Sequence, residues 1–491
     1  MSHENIPPED YSKNGINSTG NSSYNSHLSD PMQSTEIDEF KAMYEGPIMG
    51  LIFKLATPVF IGMFFQLLYS IVDTIWVSRI NINDPSYMGG IGIIFPLIFL
   101  TIAISSGILI GVGSIVARSI GRKDYASVNR AAESGLLIGT ALSLIFLILG
   151  YTFDEQLIKA LGGKGDYFTH ALEYFRYIVP AACFAFMAGV FHGILQGEGL
   201  TKNIMIGMLI ATILNMIFDP VFIFVFNLKI KGAAIATVLS SLISGFYFIH
   251  LFLKRKTLTM IEWKFRNVSF GTIKEILGIG FPQTAGQITL GLSFLVYNRI
   301  LSTIDPASIT SFSICGRIDQ ILLLPINSIA FSLITIIGQN FGRENHERMI
   351  RAWRAGLLSA IPLCAFFATI LVVYAHRIFP FFSSVDRVVS YSVRQTRIVE
   401  YTYIFGAVSI LATSSFQAIA RPISGMIITL LRLAIISIPL AFINVFIFKT
   451  GPEGVWFGLA TANLISGTVA FFWTNSALKK FLIPEENKIN R

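Results

Sequence analysis

The sequence predicts an all-α, polytopic membrane protein of about twelve transmembrane helices in two pseudo-symmetric six-helix lobes. Three observations predict it. Of 491 residues, 53% are hydrophobic and 13% charged, with a mean hydropathy of +0.63; soluble domains carry about 25% charged residues. Apolar runs recur along most of the chain, each long enough for a bilayer core that needs about 20 residues. A weak internal repeat joins the two halves at a spacing of roughly 220 residues.

Residues 1 to about 45 are rich in Ser, Asn, Asp and Glu and read as a disordered cytoplasmic tail. They hold no apolar core of a cleaved signal peptide. A short amphipathic piece, Ile37 to Tyr44, is expected to lie on the membrane surface. Twelve apolar segments follow, near 48–79, 87–118, 131–151, 168–197, 203–226, 232–253, 272–301, 308–339, 352–375, 395–418, 424–447 and 454–478. Several exceed the bilayer thickness, so tilting or extension beyond it is expected. This places an N-terminal lobe at 46–254, a cytoplasmic linker at 255–271, a C-terminal lobe at 272–480 and a tail at 481–491.

The net charge of +8 reflects Lys and Arg in short connections, so nucleic acid is not an expected partner. Arg118, Arg122, Lys123 and Arg130 lie in one set of connections, continued by Lys254 to Lys274 and by Arg343 to Arg354. The alternate connections are poorer in Lys and Arg. The positive-inside rule then puts the first set and both termini in the cytoplasm, in a plasma (inner) membrane. The repeat pairs Pro58 with Pro282, Gly121-Arg-Lys-Asp124 with Gly342-Arg-Glu-Asn345, and Ala236-Thr237 with Ala460-Thr461. Two like halves in the same orientation imply a pseudo-two-fold axis along the membrane normal. Cys183, Cys315 and Cys364 form neither metal spacing nor a disulfide framework and read as buried free thiols.

Polar residues inside apolar runs carry the functional signal. Asp219 lies in the fifth segment, where a carboxylate costs roughly 2.5–3.5 kcal/mol on insertion scales. Asn215 is four residues before it and shares its helix face. Pro220 removes a backbone N–H and frees the carbonyl four residues back. The alternative for this trio is polar glue between helices. In the first segment Gln66, Tyr69, Ser70 and Asp73 recur at helical spacing and line one stripe, which should face protein or water. Asp73 is placed about ten residues from the segment's polar end, the alternative there being a helix cap. Thr237 follows the small-residue run Gly232-Ala-Ala-Ile-Ala236, and alone would more often be helix glue or a back-bond to its own carbonyl. The second half offers Gln283, Gln287 and Asn298, Asp319 near Arg317, Arg432, and Glu400, whose expected role is structural. No phosphate-binding loop, metal-ligand cluster or nucleophile–base set is present in the sequence, so an enzyme is not expected.

These pieces together resemble the multidrug and toxic compound extrusion (MATE) transporter family of the MOP superfamily. The matching stretches are Pro58 to Asp73, Gly121-Arg-Lys-Asp124, Gln196-Gly-Glu-Gly-Leu-Thr-Lys202, Asn215-x-x-x-Asp219-Pro220, Gly232-Ala-Ala-Ile-Ala-Thr237, Gly338-Gln-Asn-Phe-Gly342 and Gln417-Ala-Ile-Ala-Arg-Pro422. The resemblance covers about 46–480. It implies a V-shaped two-lobe antiporter that exports cationic and amphipathic compounds against an H⁺ or Na⁺ gradient, with no cofactor besides the coupling ion. It implies a cation site, for Na⁺ or a proton, at Asp73, Asn215, Asp219 and Thr237. Substrate-cavity candidates are Gln66, Tyr69, Ser70, Gln283 and Gln287. Where one branch carries an acid on the seventh helix, this chain has Gln283 and Gln287, so the pattern is closer to the DinF-like branch. The protein is expected to act as a monomer in the bilayer. The rival reading is a lipid-linked precursor flippase of the same superfamily.

Overall fold

A computed structural model describes residues 43–81, 83–261 and 267–482, and the regular elements among them are all helical. That follows from the sequence, because a chain crossing lipid must satisfy its backbone internally. Most of the tail expected at 1–45, the terminal segment beyond 482 and part of the central linker lie outside the described residues. Residues up to Pro47 belong to a unit of their own, and the helices from Ile48 onward to another.

The first half contains α1 (Ile48–Ser78), α2 (Ser86–Gly121), α3 (Tyr125–Thr152), α4 (Gly165–Glu198), α5 (Thr201–Val225) and α6 (Lys229–Leu253). The second contains α7 (Phe270–Ser302), then α8 (Pro306–Gly342), α9 (His346–Phe381), α10 (Asp386–Ala418), α11 (Pro422–Ile447) and α12 (Glu453–Leu482). Eleven of these are long and apolar enough to cross a membrane. The exception is α7, whose Gly, Thr, Gln and Ser content dilutes its apolar residues. Large apolar side chains such as Leu144, Ile148, Phe246 and Phe472 are exposed on the helices, as expected of a surface that meets lipid.

The expected segments match these helices, with differences at charged ends. Helix α10 begins nine residues before the expected start at 395, at Asp386, because its first turns are amphipathic and dilute a hydropathy window. Residues Glu400–Thr402 form a 3₁₀ turn within it. A short helix, Asp154–Ala160, was not anticipated; it is tied to α4 by Arg176 Nε and Asp154 Oδ2 at 2.5 Å.

Small residues let the helices approach closely. Gly189, Gly193 and Gly197 recur every four residues on α4 and face Ser105, Leu109 and Val116 of α2. The halves meet along α2. Gly107 lies backbone to backbone against Gly280 of α7. At the end of α2, a Cβ on Gly121 would overlap the Gln339 carbonyl oxygen of α8, and one on Gly342 would overlap the Arg118 carbonyl oxygen. Arg118 Nη2 reaches Glu275 Oε1 of α7 at 2.9 Å. The connection between α6 and α7 is held down on the first half. Glu198 accepts from the backbone of Leu258 (3.1 Å) and Thr259 (2.9 Å) and from the Thr259 hydroxyl. Glu133 accepts from the backbone of Asn267 at 2.8 Å.

Pro220 has the local effect expected of it. The α-helix stops there and Val221–Val225 forms a π turn. A matching π turn occurs at Ile443–Ile447 in α11. Gly232 packs against Phe222 and Ile223, while Gly454 packs against Asn444 and Val445. This register pairs Thr237 with Leu459, so the expected match of Thr237 to Thr461 is two residues out. The small-residue run made the two alignments hard to distinguish.

Candidate functional site

Four helices of the first half bring one polar cluster together. Helix α1 supplies Tyr69 and Asp73, one turn apart. Helix α5 supplies Asn215 and Asp219, also one turn apart. Thr237 comes from α6, and Tyr174 from α4. The Asp73 and Asp219 carboxyls lie within hydrogen-bond reach of each other. Tyr69 lies beside Thr237 and Asp73, and Tyr174 lies near both acids. Asn215 and Asp219 are buried, whereas Asp73 is half-buried.

The Asn215 amide links the acid to α6. With its nitrogen toward Asp219 it donates to Oδ2 at 2.8 Å and accepts from the Thr237 backbone and hydroxyl, each at 3.1 Å. Turned the other way, its nitrogen donates to Thr237 Oγ1 at 3.1 Å and its oxygen faces the acid. The first orientation suits a bare carboxylate. The second suits a protonated Asp219 that donates to the amide oxygen, or a cation seated between the two oxygens. In that second orientation the Thr237 hydroxyl donates back to Ala233 O at 3.1 Å, the helix back-bond expected of it. Asp73, Asp219, Asn215, Thr237 and Tyr69 each carry a side-chain oxygen, the donor type hard cations take. No group of three or more His, Cys, Asp or Glu able to hold a metal occurs among the described residues.

The cluster lies nearer one end of its helices than the sequence placed it. Asp73 is five residues from the end of α1, not ten, and Asp219 is six from the end of α5. At 1.5 Å per residue both acids are less than about 10 Å from the helix ends. The expected segment 48–79 overshoots the helix by only one residue, so the ten-residue depth overcounts even that segment.

The remaining cavity candidates divide. Tyr69 joins the acids. Gln66 and Ser70 are exposed, and Gln287 is half-buried on α7. Gln283 lies elsewhere, in a second-half cavity of about 160 Å³. There Gln417 Nε2 donates to Gln283 Oε1 at 2.7 Å. Asn327, Thr413, Thr429 and Arg432 also line it.

A second pair of acids was not read as a pair from sequence. Asp319 of α8 and Glu400 of α10 lie within hydrogen-bond reach of each other. They are 8% and 2% exposed. The Tyr403 hydroxyl donates to Asp319 Oδ2 at 2.6 Å. Asp319 and Arg317, close in sequence, form no ion pair: Arg317 is exposed, one residue round the helix from the buried face. Tyr174 was also missed, since an aromatic residue in an apolar run carries no polar signal. The four-residue spacing of Tyr69 and Asp73 was the usable signal for Tyr69.

Comparison with known proteins identifies the family. The family model MatE matches twice, over residues 58–221 and 282–443. The multidrug export protein MepA of Staphylococcus aureus is 24% identical over 426 residues, covering 87% of this chain and 93% of that protein. An outward-facing structure of a multidrug resistance MATE family transporter of the MOP superfamily superposes with a TM-score of 0.84 at 26% identity, covering 89% of this chain and 98% of that one. The MATE transporter ClbM in complex with Rb⁺ is 30% identical, with a TM-score of 0.79, covering 88% and 95%. The twofold family match, the relatives and the shared helical fold lead to one conclusion: this chain belongs to the MATE family and is a membrane transporter, not an enzyme.

Proposed function

We propose that the chain is a cation-coupled antiporter that exports cationic or amphipathic compounds by alternating access, with H⁺ or Na⁺ entering in exchange. The observation that carries this reading is the meeting of Asp73 and Asp219 with Asn215 and Thr237. Two bare carboxylates at that separation repel strongly in a water-poor site. One proton or one monovalent cation relieves the repulsion, so the pair takes up and releases charge as a unit. Asn215 turns its oxygen toward the incoming cation, and Thr237 and Tyr69 complete the oxygen set. Loading ties α1 to α5 and α6; unloading loosens them. A cationic substrate competes for the same negative charge, so ion and substrate bias one two-state equilibrium in opposite directions. The membrane potential adds about 2.3 kcal/mol per net charge moved per 100 mV. That MepA is a multidrug export protein and that ClbM was solved with Rb⁺ both support the reading. The chain is taken to work as a monomer in the plasma membrane with both termini in the cytoplasm. The rival reading, a flippase for lipid-linked precursors, is disfavoured by the acidic first-half site, which repels a pyrophosphate.

The test uses the purified chain in vesicles, loaded with a fluorescent organic cation, with proton and sodium gradients imposed separately. Export driven by one gradient is expected in the wild type and none in Asp219→Asn. Undiminished gradient-driven export by Asp219→Asn would refute the proposed role.

A further inference from the structure

We infer that the second-half cavity at Arg432 is a subsite for an anionic group, of the carboxylate type. Arg432 lies ten residues into α11, about 15 Å along the helix at 1.5 Å per residue. An arginine at that depth is costly and is expected to be paired or to serve transport. Among the described residues no carboxylate comes within salt-bridge distance of it. Its one hydrogen bond is a long one, from Nη1 to the Gly406 carbonyl at 3.5 Å, and its buried Nε has no hydrogen-bond partner. The acids of the same half do not neutralise it, because Asp319 and Glu400 are engaged with each other and with Tyr403.

The guanidinium lines the 160 Å³ cavity, beside Gln283, Asn327, Thr413, Gln417 and Thr429. The Thr413 and Thr429 hydroxyls donate to backbone carbonyls and Gln417 donates to Gln283, which leaves the Gln283 and Asn327 amide nitrogens as neutral donors, and no lining residue is acidic. A guanidinium with free N–H groups and neutral donors around it matches the planar, two-oxygen geometry of a carboxylate. The same chemistry could come from a substrate's own carboxylate or from a small free carboxylate. In the first case the transporter would accept compounds with both an amine and a carboxylate, the amine drawn to the first-half acids. This extends the antiporter reading to a substrate class and rests on it only in that transport arm.

The test compares a xanthene dye bearing a free carboxylate with the methyl ester of the same dye. Binding to the purified full chain is read by fluorescence polarisation, with no gradient and no turnover. Arg432→Gln is expected to weaken binding of the carboxylate dye about tenfold, roughly 1.4 kcal/mol, and to leave the ester within about twofold. Arg432→Lys, which keeps the charge, should recover part of the loss and shows that the fold is intact. Competition by acetate distinguishes the sources. If acetate binds in an Arg432-dependent way while the two dyes bind alike, the site takes a free carboxylate. If neither the carboxylate dye nor acetate responds to Arg432→Gln, the inference is overturned. Ester export by the wild type reports separately on the antiporter reading, so the two can fail independently.

Discussion

Each half of the molecule buries two acids on neighbouring helices beside a tyrosine, yet the two pairs are built differently. In the first half Asp73 is half-exposed, and its partner is tied through Asn215 to α6. In the second half Asp319 and Glu400 are 8% and 2% exposed and held by the Tyr403 hydroxyl at 2.6 Å. On the proposed mechanism, the partial exposure of Asp73 lets an ion reach the first pair. The second is sealed, so a shared proton there would stay in place. On this proposal, two buried carboxyls do not by themselves make a transport site; accessibility and a ligand set that can rearrange distinguish the first pair from the second.

The largest expected effect separates the pairs directly. Asp73→Asn should lower gradient-driven export about 100-fold or more, roughly 2.7 kcal/mol, while the thermal midpoint stays the same or rises as a repulsion is removed. Glu400→Gln should leave export within about threefold, by the same vesicle assay. Equal losses from both would dissolve the distinction.

Next in size is the joint at the ends of α2 and α8. Gly121→Ala or Gly342→Ala places a methyl against a carbonyl oxygen of the other half. Rearranging packed backbone costs about 1–3 kcal/mol, enough to favour the state in which these ends separate. Export is expected to drop about tenfold. Spin labels on Lys123 and Glu344 should report a longer distance in the variants, and an unchanged distance would show that the contact tolerates the methyl.

Pro220→Ala is expected to have a smaller effect. It restores one helix hydrogen bond, worth about 0.5–1.5 kcal/mol, and favours a straight helix over the π turn beside Asp219. The protein should become slightly more stable while export falls severalfold. Gain of stability with unaltered export would mean that the break is not used in the cycle.

The smallest effect falls on the sealed pair. Glu400→Gln keeps the shape but alters the shared hydrogen bond, a loss of about 1 kcal/mol. The thermal midpoint should fall by about 2–4 °C or less for a chain of this size. A rise instead would indicate that the wild-type acids repel at the assay pH.

Much of this molecule was determined by the sequence alone, because the constraint of lipid is local. Any long apolar segment must become a helix, so the helices could be read from hydropathy, and an acid within one was conspicuous at Asp219 and Asp73. Spacing of i and i+4 placed Asn215 beside Asp219 for the same local reason. Depth was less legible: the expected segment 48–79 ends one residue beyond α1, yet Asp73 lies five residues from the helix end and not ten. What tertiary structure decided is which distant residues meet. Nothing in the segment around Tyr174 signals two acids beyond it, and nothing near Glu400 signals Asp319, eighty-one residues earlier. Arg432 looked like one polar residue among several until the fold left it without a carboxylate. Helical periodicity fixes the face a side chain occupies on its own helix; the neighbour on that face is set by crossings such as Gly121 on α8, where contacts between remote segments decide the arrangement.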